Sequence, residues 1–127
     1  MDIELLQNEN LLNEIEKRLK IEDENICKLI DVVATSSHAY FIMEYCDQGS
    51  LFKRINKHKI KDTPLKIIFQ LAKGLKRLDE ANLSKRNLNP RNILIQKAEK
   101  GFIYKISDFG SSLKKDQNPF LPPKQEL

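Results

Sequence analysis

The sequence predicts a mixed α+β fold, because segments with helical periodicity alternate along the chain with pairs of short apolar segments. The expected order is one helix, two strands, two helices and two further strands. A length of 127 residues is enough for one domain, and 40% hydrophobic with 31% charged residues is typical of a folded globular chain.

The first half of the chain is predicted to contain a long helix and a hairpin. The helix has apolar residues at three- and four-residue steps, namely Leu5, Leu11, Leu12, Ile15 and Leu19. The hairpin has β-branched and aromatic residues at 29–34 and 39–45, on either side of a polar turn at 35–38. Because apolar residues occupy both faces of its second strand, we expect that strand to be buried on both sides.

Two more helices are predicted in the middle of the chain. Ser50 is placed to cap a short helix over 51–59, and we interpret the five Lys and Arg residues between 53 and 61 as a solvated face rather than a binding patch. Asp62 or Thr63 before Pro64 indicates the start of a longer helix that ends near residue 81. Its apolar stripe contains Ile67, Ile68, Leu71, Leu75 and Leu78.

The last predicted element is a second hairpin, with strands at 93–95 and 102–106. Antiparallel pairing places Asn92, just before the first strand, beside Asp108, just after the second. An amide oxygen and a carboxylate suit Mg²⁺, which binds a few protein oxygens together with substrate phosphates. The alternative is that Asn92 caps a turn and Asp108 begins another.

Composition excludes several classes of protein. The net charge of +4 is too small and too scattered to indicate nucleic-acid binding. No run approaches the ~18 apolar residues of a membrane helix, and the acidic first ten residues do not resemble a secretory signal. Cys27 and Cys46 form neither a disulfide framework nor a zinc knuckle, so we expect free thiols in a cytoplasmic protein.

Two motifs at an appropriate separation resemble those of eukaryotic-type protein kinases. Ser-Asp-Phe-Gly at 107–110 is similar to the DFG motif, and Lys-Arg-Asn-Leu-Asn-Pro-Arg-Asn at 85–92 is similar to the catalytic loop H-R-D-L-K-P-x-N. Residues 40–50 are similar to the strand and hinge behind the nucleotide base, with Met43 at the gatekeeper position. The helix predicted at 64–81 resembles the long helix before the catalytic loop. The proline of the loop favours the Ser/Thr branch of the family.

The resemblance implies a site for ATP and Mg²⁺. Asp108 would bind the Mg²⁺ that bridges the ATP phosphates, and Asn92 would serve a second metal ion. Leu94 would form the floor under adenine, while Glu44 and Cys46 would offer hinge backbone groups to its edge.

Glu14 is the candidate for the helix glutamate that pairs with a lysine in this family. Lys17 and Arg18 stand where the family has apolar residues. That departure favours the alternative, in which Glu14 is an ordinary surface glutamate.

The segment that resembles the catalytic loop departs from the family pattern at the positions that take part in phosphoryl transfer. Asn87 replaces the catalytic aspartate, and a neutral amide cannot accept the substrate hydroxyl proton, a role worth roughly 10²–10⁴ in rate. Asn89 replaces the lysine that would contact the γ-phosphate, and Lys85 replaces the histidine. Arg86 is retained, either as a phosphate anchor or as a structural arginine.

The resemblance covers residues 9 to 124, nearly the whole chain. No glycine-rich loop and no V-A-I-K lysine precede the opening helix. We therefore expect 1–127 to be an incomplete kinase-like domain, comprising the rear of the small lobe, the hinge and the front of the large lobe. The segment 111–127 would be a short activation-segment-like tail, with Lys124 in place of the glutamate of A-P-E.

Three function hypotheses follow. The first is a catalytically impaired kinase-like fragment with residual Mg-ATP binding and a binding or scaffold role. The second is an active Ser/Thr kinase seen as an incomplete chain, and the third is a weakly basic α+β interaction domain. We expect the 64–81 helix to contact another protein or kinase lobe, and neither a membrane nor nucleic acid. The contact surface would be an exposed apolar patch of Ile67, Leu71, Leu75 and Leu78.

Overall fold

The computed structural model describes residues 9–83 and 88–107, and within them it confirms the predicted α+β order. The helices are α1 (Glu9–Lys20), α2 (Leu51–Asn56) and α3 (Pro64–Glu80), with a 3₁₀ turn at Pro90–Asn92. The strands are β1 (Leu29–Ala34), β2 (Ala39–Met43), β3 (Ile93–Lys97) and β4 (Phe102–Ile106), and they form two antiparallel pairs, β1–β2 and β3–β4. None of the described helices has the length and apolar character needed to span a membrane.

The smaller core lies between α1 and one face of the β1–β2 hairpin. Ile15 of α1 and Leu29 of β1 are buried there, and Val32, Phe41 and Met43 pack against them. The register pairs Leu29 with Met43 and Val32 with Phe41. Because cross-strand partners lie on the same face of a sheet, these side chains all point toward α1.

The opposite face of the β1–β2 hairpin is apolar but exposed. Its side chains, Ile30, Val33, Tyr40 and Ile42, are 43–56% exposed. The prediction that β2 is buried on both sides is therefore wrong. Apolar residues on both faces of a strand are compatible with burial on both sides. In the described structure, other elements pack only against the face toward α1.

The larger core lies between α3 and the β3–β4 hairpin. Its central members are Ile67, Leu71 and Leu78 of α3 with Ile95, Tyr104 and Ile106 of the hairpin. Thr63 caps α3 through its hydroxyl, which accepts a hydrogen bond from the Lys66 N–H at 3.2 Å, and Pro64 is the first helical residue. This start agrees with the sequence prediction. Proline is tolerated at the first helical position because the N–H that it lacks would have no partner within the helix.

The exposed apolar patch predicted on α3 has the wrong members. Three of the four residues named for it are buried against the hairpin, namely Ile67, Leu71 and Leu78. A second stripe points away from this core and contains Leu65, Ile68 and Phe69, which are 61–77% exposed. Because α3 is apolar on two sides, helical periodicity alone did not decide which side faces the core. A partner of this helix would meet the second stripe.

Gly74 brings α3 against the segment between α1 and β1. A Cβ atom at position 74 would lie 2.7 Å from the carbonyl oxygen of Asn25 and 3.0 Å from Cδ1 of Ile106. The buried amide of Asn25 donates to the Tyr104 carbonyl oxygen at 2.9 Å and to Gln70 Oε1 at 3.1 Å. Gln70 Oε1 also accepts the Tyr104 N–H at 3.0 Å. These contacts join α3, β4 and the segment that contains Asn25.

α2 ends three residues earlier than predicted, because His58 adopts a left-handed backbone conformation with φ of 53°. The His58 N–H donates to the Ile55 carbonyl oxygen at 3.1 Å, and the Lys59 N–H donates to that of Arg54 at 3.0 Å. This pair of bonds is the Schellman arrangement that closes a helix C-terminus. Ser50 caps the other end, as predicted.

Candidate functional site

The β3–β4 register places Asn92, the first predicted metal ligand, next to Ser107 at one end of the hairpin. Ile93 pairs with Ile106, so Asn92 and Ser107 are the next residues along. The Asn92 carbonyl oxygen accepts hydrogen bonds from the Ser107 N–H at 2.8 Å and the Ser107 hydroxyl at 3.1 Å. Asp108 follows Ser107 in the chain but lies outside the described residues. Metal binding by Asn92 and Asp108 stays a prediction.

The 3₁₀ turn before β3 holds Asn92 in a buried position. Asn89 caps this turn: its side-chain Oδ1 accepts the Arg91 N–H at 2.9 Å, and its carbonyl oxygen accepts the Asn92 N–H at 2.9 Å. Asn89 therefore has a structural role at the position where the family has its phosphate-contacting lysine. Arg86 and Asn87 lie outside the described residues, and their assigned positions stay predictions.

The predicted hinge follows β2 in the chain, and its last residues pair with β3. The Gln48 N–H donates to the Ile95 carbonyl oxygen at 3.0 Å, and the Ile95 N–H donates to the Gly49 carbonyl oxygen at 2.8 Å. Ser50 forms an isolated bridge with Leu94, which is half-buried. The residue predicted as the adenine floor is thus adjacent to the segment predicted as the hinge.

The backbone groups of Glu44 and Cys46 are the ones that the predicted hinge would offer to adenine. The Glu44 N–H is used within the fold, since it donates to the Lys28 carbonyl oxygen at 2.9 Å. Among residues 9–83 and 88–107, the Glu44 carbonyl oxygen accepts a single weak hydrogen bond, from the Cys27 thiol at 3.7 Å, and the Cys46 N–H donates none. Met43, predicted as the gatekeeper, is the half-buried last residue of β2. Within the described residues, the predicted acceptor at 44 therefore has one weak hydrogen bond and the predicted donor at 46 has none, although Cys46 is buried.

An ion pair that the sequence analysis missed links the hinge to β4. Lys105 Nζ lies 2.9 Å from Glu44 Oε1, and the lysine side chain is buried. The same carboxylate oxygen accepts the Lys28 N–H at 2.9 Å. Lys105 and Glu44 are 61 positions apart in the chain, and sequence periodicity indicates contacts only between near neighbours, so nothing in the sequence indicated this pair. It joins the hinge to the strand that leads into the 107–110 motif.

Cys27 and Cys46 are free, buried thiols beside the hinge. The interaction between the two side chains raises the pKa of Cys27 and lowers the pKa of Cys46, and burial adds to the rise at Cys27. No group of three or more His, Cys, Asp or Glu residues with metal-binding geometry occurs in the described part of the chain.

Glu14 is buried, with 5% of its surface exposed, so its interpretation as an ordinary surface glutamate is wrong. Arg18, one turn later on the same side of α1, is also buried. The sequence pattern did place charged residues on a face where apolar ones were expected. Burial agrees with Glu14 as the helix glutamate of the kinase pattern, and that role stays a prediction.

Comparison with known proteins identifies the family of this chain. A family model for the protein kinase domain matches residues 2–122. The chain is 36% identical over 104 residues to serine/threonine-protein kinase ATG1a of Arabidopsis thaliana and 39% identical over 104 residues to serine/threonine-protein kinase ULK3 of Homo sapiens. It is 30% identical over 117 residues to CBL-interacting serine/threonine-protein kinase 10 of Arabidopsis thaliana.

These alignments cover 80%, 80% and 88% of this chain. They cover only 17%, 22% and 24% of the respective relatives, so the chain spans less than a quarter of the length of the kinases it matches. A family match over nearly the whole sequence, together with the hinge and hairpin geometry, shows that this chain belongs to the protein kinase domain family and is similar to its serine/threonine kinases.

Proposed function

We propose that this chain is a kinase-domain fragment that binds Mg-ATP and is impaired in phosphoryl transfer. The observation that carries the proposal is the pairing of the predicted hinge with β3, in which Gln48 and Gly49 form hydrogen bonds with Ile95 and Ser50 forms a bridge with Leu94. Membership of the kinase family supports ATP and Mg²⁺ as the cofactors.

The hinge groups match the edge of adenine. Adenine presents a donor, its amino group, beside an acceptor ring nitrogen, which is the complement of a carbonyl oxygen at Glu44 and an N–H at Cys46. Leu94 supplies an apolar surface for the flat ring, and such apolar lining with a few placed polar groups is typical of ligand sites.

The metal would be held by Asn92 and Asp108. Mg²⁺ binds oxygen ligands and keeps the phosphates of its nucleotide as further ligands, so an amide and a carboxylate are a suitable set. When bound, Mg²⁺ neutralises charge on the ATP phosphates. Of these two residues, the structure describes Asn92, which is buried and whose carbonyl oxygen accepts a hydrogen bond from the N–H of Ser107, the residue before Asp108.

Impairment is inferred from Asn87. The amide at this position has no proton-accepting group for a substrate hydroxyl. Positioning and electrostatic stabilisation supply most catalysis of phosphoryl transfer, so loss of the base slows the reaction without abolishing every contribution. The alternative remains a Ser/Thr kinase of which this chain is one part.

Mg-ATP is expected to raise the melting temperature of the purified chain. A ligand that binds only the folded state adds about 2.7 kcal/mol at 100 times its dissociation constant, which shifts a domain of this size by several degrees. Asp108→Ala should abolish the magnesium-dependent part of the shift, whereas Asp79→Ala, an exposed carboxylate on α3, should preserve it. A cooperative melt that Mg-ATP leaves unchanged at millimolar concentration would contradict nucleotide binding.

Asn87→Asp is expected not to create an efficient kinase. The substitution restores the base, but Asn89 and Lys85 still replace residues of the catalytic loop. The measurement is transfer of labelled γ-phosphate to a mixed Ser/Thr peptide pool by the wild-type and substituted chains. A rise of 10²-fold or more, the size of a restored general base, would instead favour the active-kinase alternative.

A further inference from the structure

A cavity of about 200 Å³ opens beside α2, near its C-terminal end. Its lining residues are Gln48, Lys53, Arg54, Lys57 and Lys59. Four of these five side chains are cations and none is acidic. Pockets for drug-sized ligands measure roughly 300–1,000 Å³, so this cavity suits a single charged group.

The end of α2 shapes this cavity. The left-handed His58 turns the chain back, so that Lys59 lines the same cavity as Lys53 and Lys57. The Schellman bonds occupy the carbonyl oxygens of Arg54 and Ile55. Hydrogen bonds within the chain therefore already use these two carbonyl oxygens at the C-terminus of α2.

Arg54 is held in place at the cavity wall. Its guanidinium lies over the Phe102 ring, 4.9 Å from the ring centroid. Nε donates to the Gln48 carbonyl oxygen at 3.4 Å, and Nη2 donates to Gln48 Oε1. Because these contacts orient the guanidinium in the free protein, less conformational entropy is lost when its remaining N–H groups bind a ligand.

None of the cavity cations forms an ion pair with a carboxylate of the described structure. Ion pairs within 9–83 and 88–107 join Lys66 to Asp62 and Lys105 to Glu44, and neither involves a cavity residue. Several like charges around one cavity repel each other, and a bound anion would relieve that repulsion.

We propose that this cavity binds the phosphate group of a phosphorylated Ser or Thr side chain in a protein segment. A phosphate monoester carries a charge of about −1.5 to −2 at pH 7 and three acceptor oxygens, which match several donors better than a carboxylate does. Nucleic acid presents a line of phosphates and favours a groove or stripe, whereas here one cavity is present at the end of one helix. The proposal is independent of nucleotide binding. Lys53, Lys57 and Lys59 are exposed, in agreement with the interpretation of the 53–61 cations as a solvated face, and the proposal adds a ligand to that face.

The test is fluorescence anisotropy of the full chain with a labelled phosphoserine peptide whose other residues are uncharged. The unphosphorylated peptide should bind at least about tenfold more weakly, as expected for loss of charge-assisted hydrogen bonds. Lys57→Gln/Lys59→Gln should weaken phosphopeptide binding at least about tenfold. Lys76→Gln/Lys100→Gln removes the same charge at exposed positions outside the cavity and should change binding less than about twofold.

Equal losses in the two double variants would overturn the proposal, because they would show binding by net charge alone. Equal affinity for the unphosphorylated peptide, or tighter binding to single-stranded RNA or to vesicles of anionic lipid, would also overturn it. Inorganic phosphate that competes at the dissociation constant of the peptide would show a site for the free ion instead. If the Lys57→Gln/Lys59→Gln variant fails to melt cooperatively, the single substitution Lys53→Gln is compared with Lys76→Gln instead. Lys53 lines the cavity and is exposed, so Lys53→Gln should weaken phosphopeptide binding and Lys76→Gln should not.

Discussion

Gly74→Ala is expected to destabilise the fold by about 2 kcal/mol, within the range measured for overpacked cores. Its new Cβ would lie 2.7 Å from the Asn25 carbonyl oxygen, a backbone atom, and 3.0 Å from Cδ1 of Ile106. Neither neighbour has room to retreat, because Ile106 is fully buried and the Asn25 oxygen accepts the Ile106 N–H at 3.0 Å. On an exposed helix face, the same change would stabilise by about 1 kcal/mol through helix propensity.

Urea unfolding of Gly74→Ala and of Ala72→Gly separates these two effects. Ala72 is exposed two residues earlier on α3, where propensity alone predicts a loss of about 1 kcal/mol for glycine. A higher unfolding midpoint for Gly74→Ala would show that α3 does not approach the segment containing Asn25 as closely as the structure has it.

Asn25→Asp is expected to cost about 3 kcal/mol or more at pH 7. The Asn25 amide nitrogen donates to two acceptors, the Tyr104 carbonyl oxygen and Gln70 Oε1. A carboxylate of nearly the same shape would place a buried negative charge against both oxygens. The Tyr104 carbonyl oxygen would lose the hydrogen bond from Asn25, and Gln70 Oε1 would keep only the one from the Tyr104 N–H. Asn56→Asp makes the same chemical change at an exposed position and should cost less than about 1 kcal/mol.

The cost of Asn25→Asp should depend on pH. Burial against two acceptors disfavours the charged form, so the pKa of this carboxyl in the folded state should rise above its unfolded value of about 3.9. A protonated carboxyl still has one donor, and the difference from wild type should therefore be smallest below the unfolded pKa. It should increase as the pH rises toward the folded pKa, because the unfolded state loses its proton first. Urea midpoints at pH 5 and pH 8 measure this trend, and a pH-independent difference would contradict burial of the charge.

Local signals in the sequence were sufficient for most element positions. The first hairpin strand was predicted at 29–34 and the last at 102–106, and both are observed with those bounds. Thr63 before Pro64 located the start of α3, because a capping hydroxyl and a proline satisfy requirements of the helix terminus itself. The hairpin prediction placed Asn92 beside Asp108; the structure shows Asn92 hydrogen-bonded to Ser107, and Asp108 lies outside the described residues.

Long-range contacts were not predictable in the same way. The Glu44–Lys105 pair and the Asn25–Gln70 hydrogen bond join residues 61 and 45 positions apart, and each needs the fold to bring its members together. The sequence likewise does not indicate whether the glycine at position 74 weakens α3 or permits its close approach to the segment that contains Asn25.

The sequence by itself determined the kinase motifs, the order of the elements and the departure at Asn87. Only the tertiary structure decided which side of α3 is buried, that the outer face of β2 is exposed, and that Glu14 is buried. It also decided that four cations near the end of α2 line one cavity. Propensity, capping and turn geometry depend on neighbours in the chain, whereas burial and the partners of a charge depend on which elements pack against each other in space.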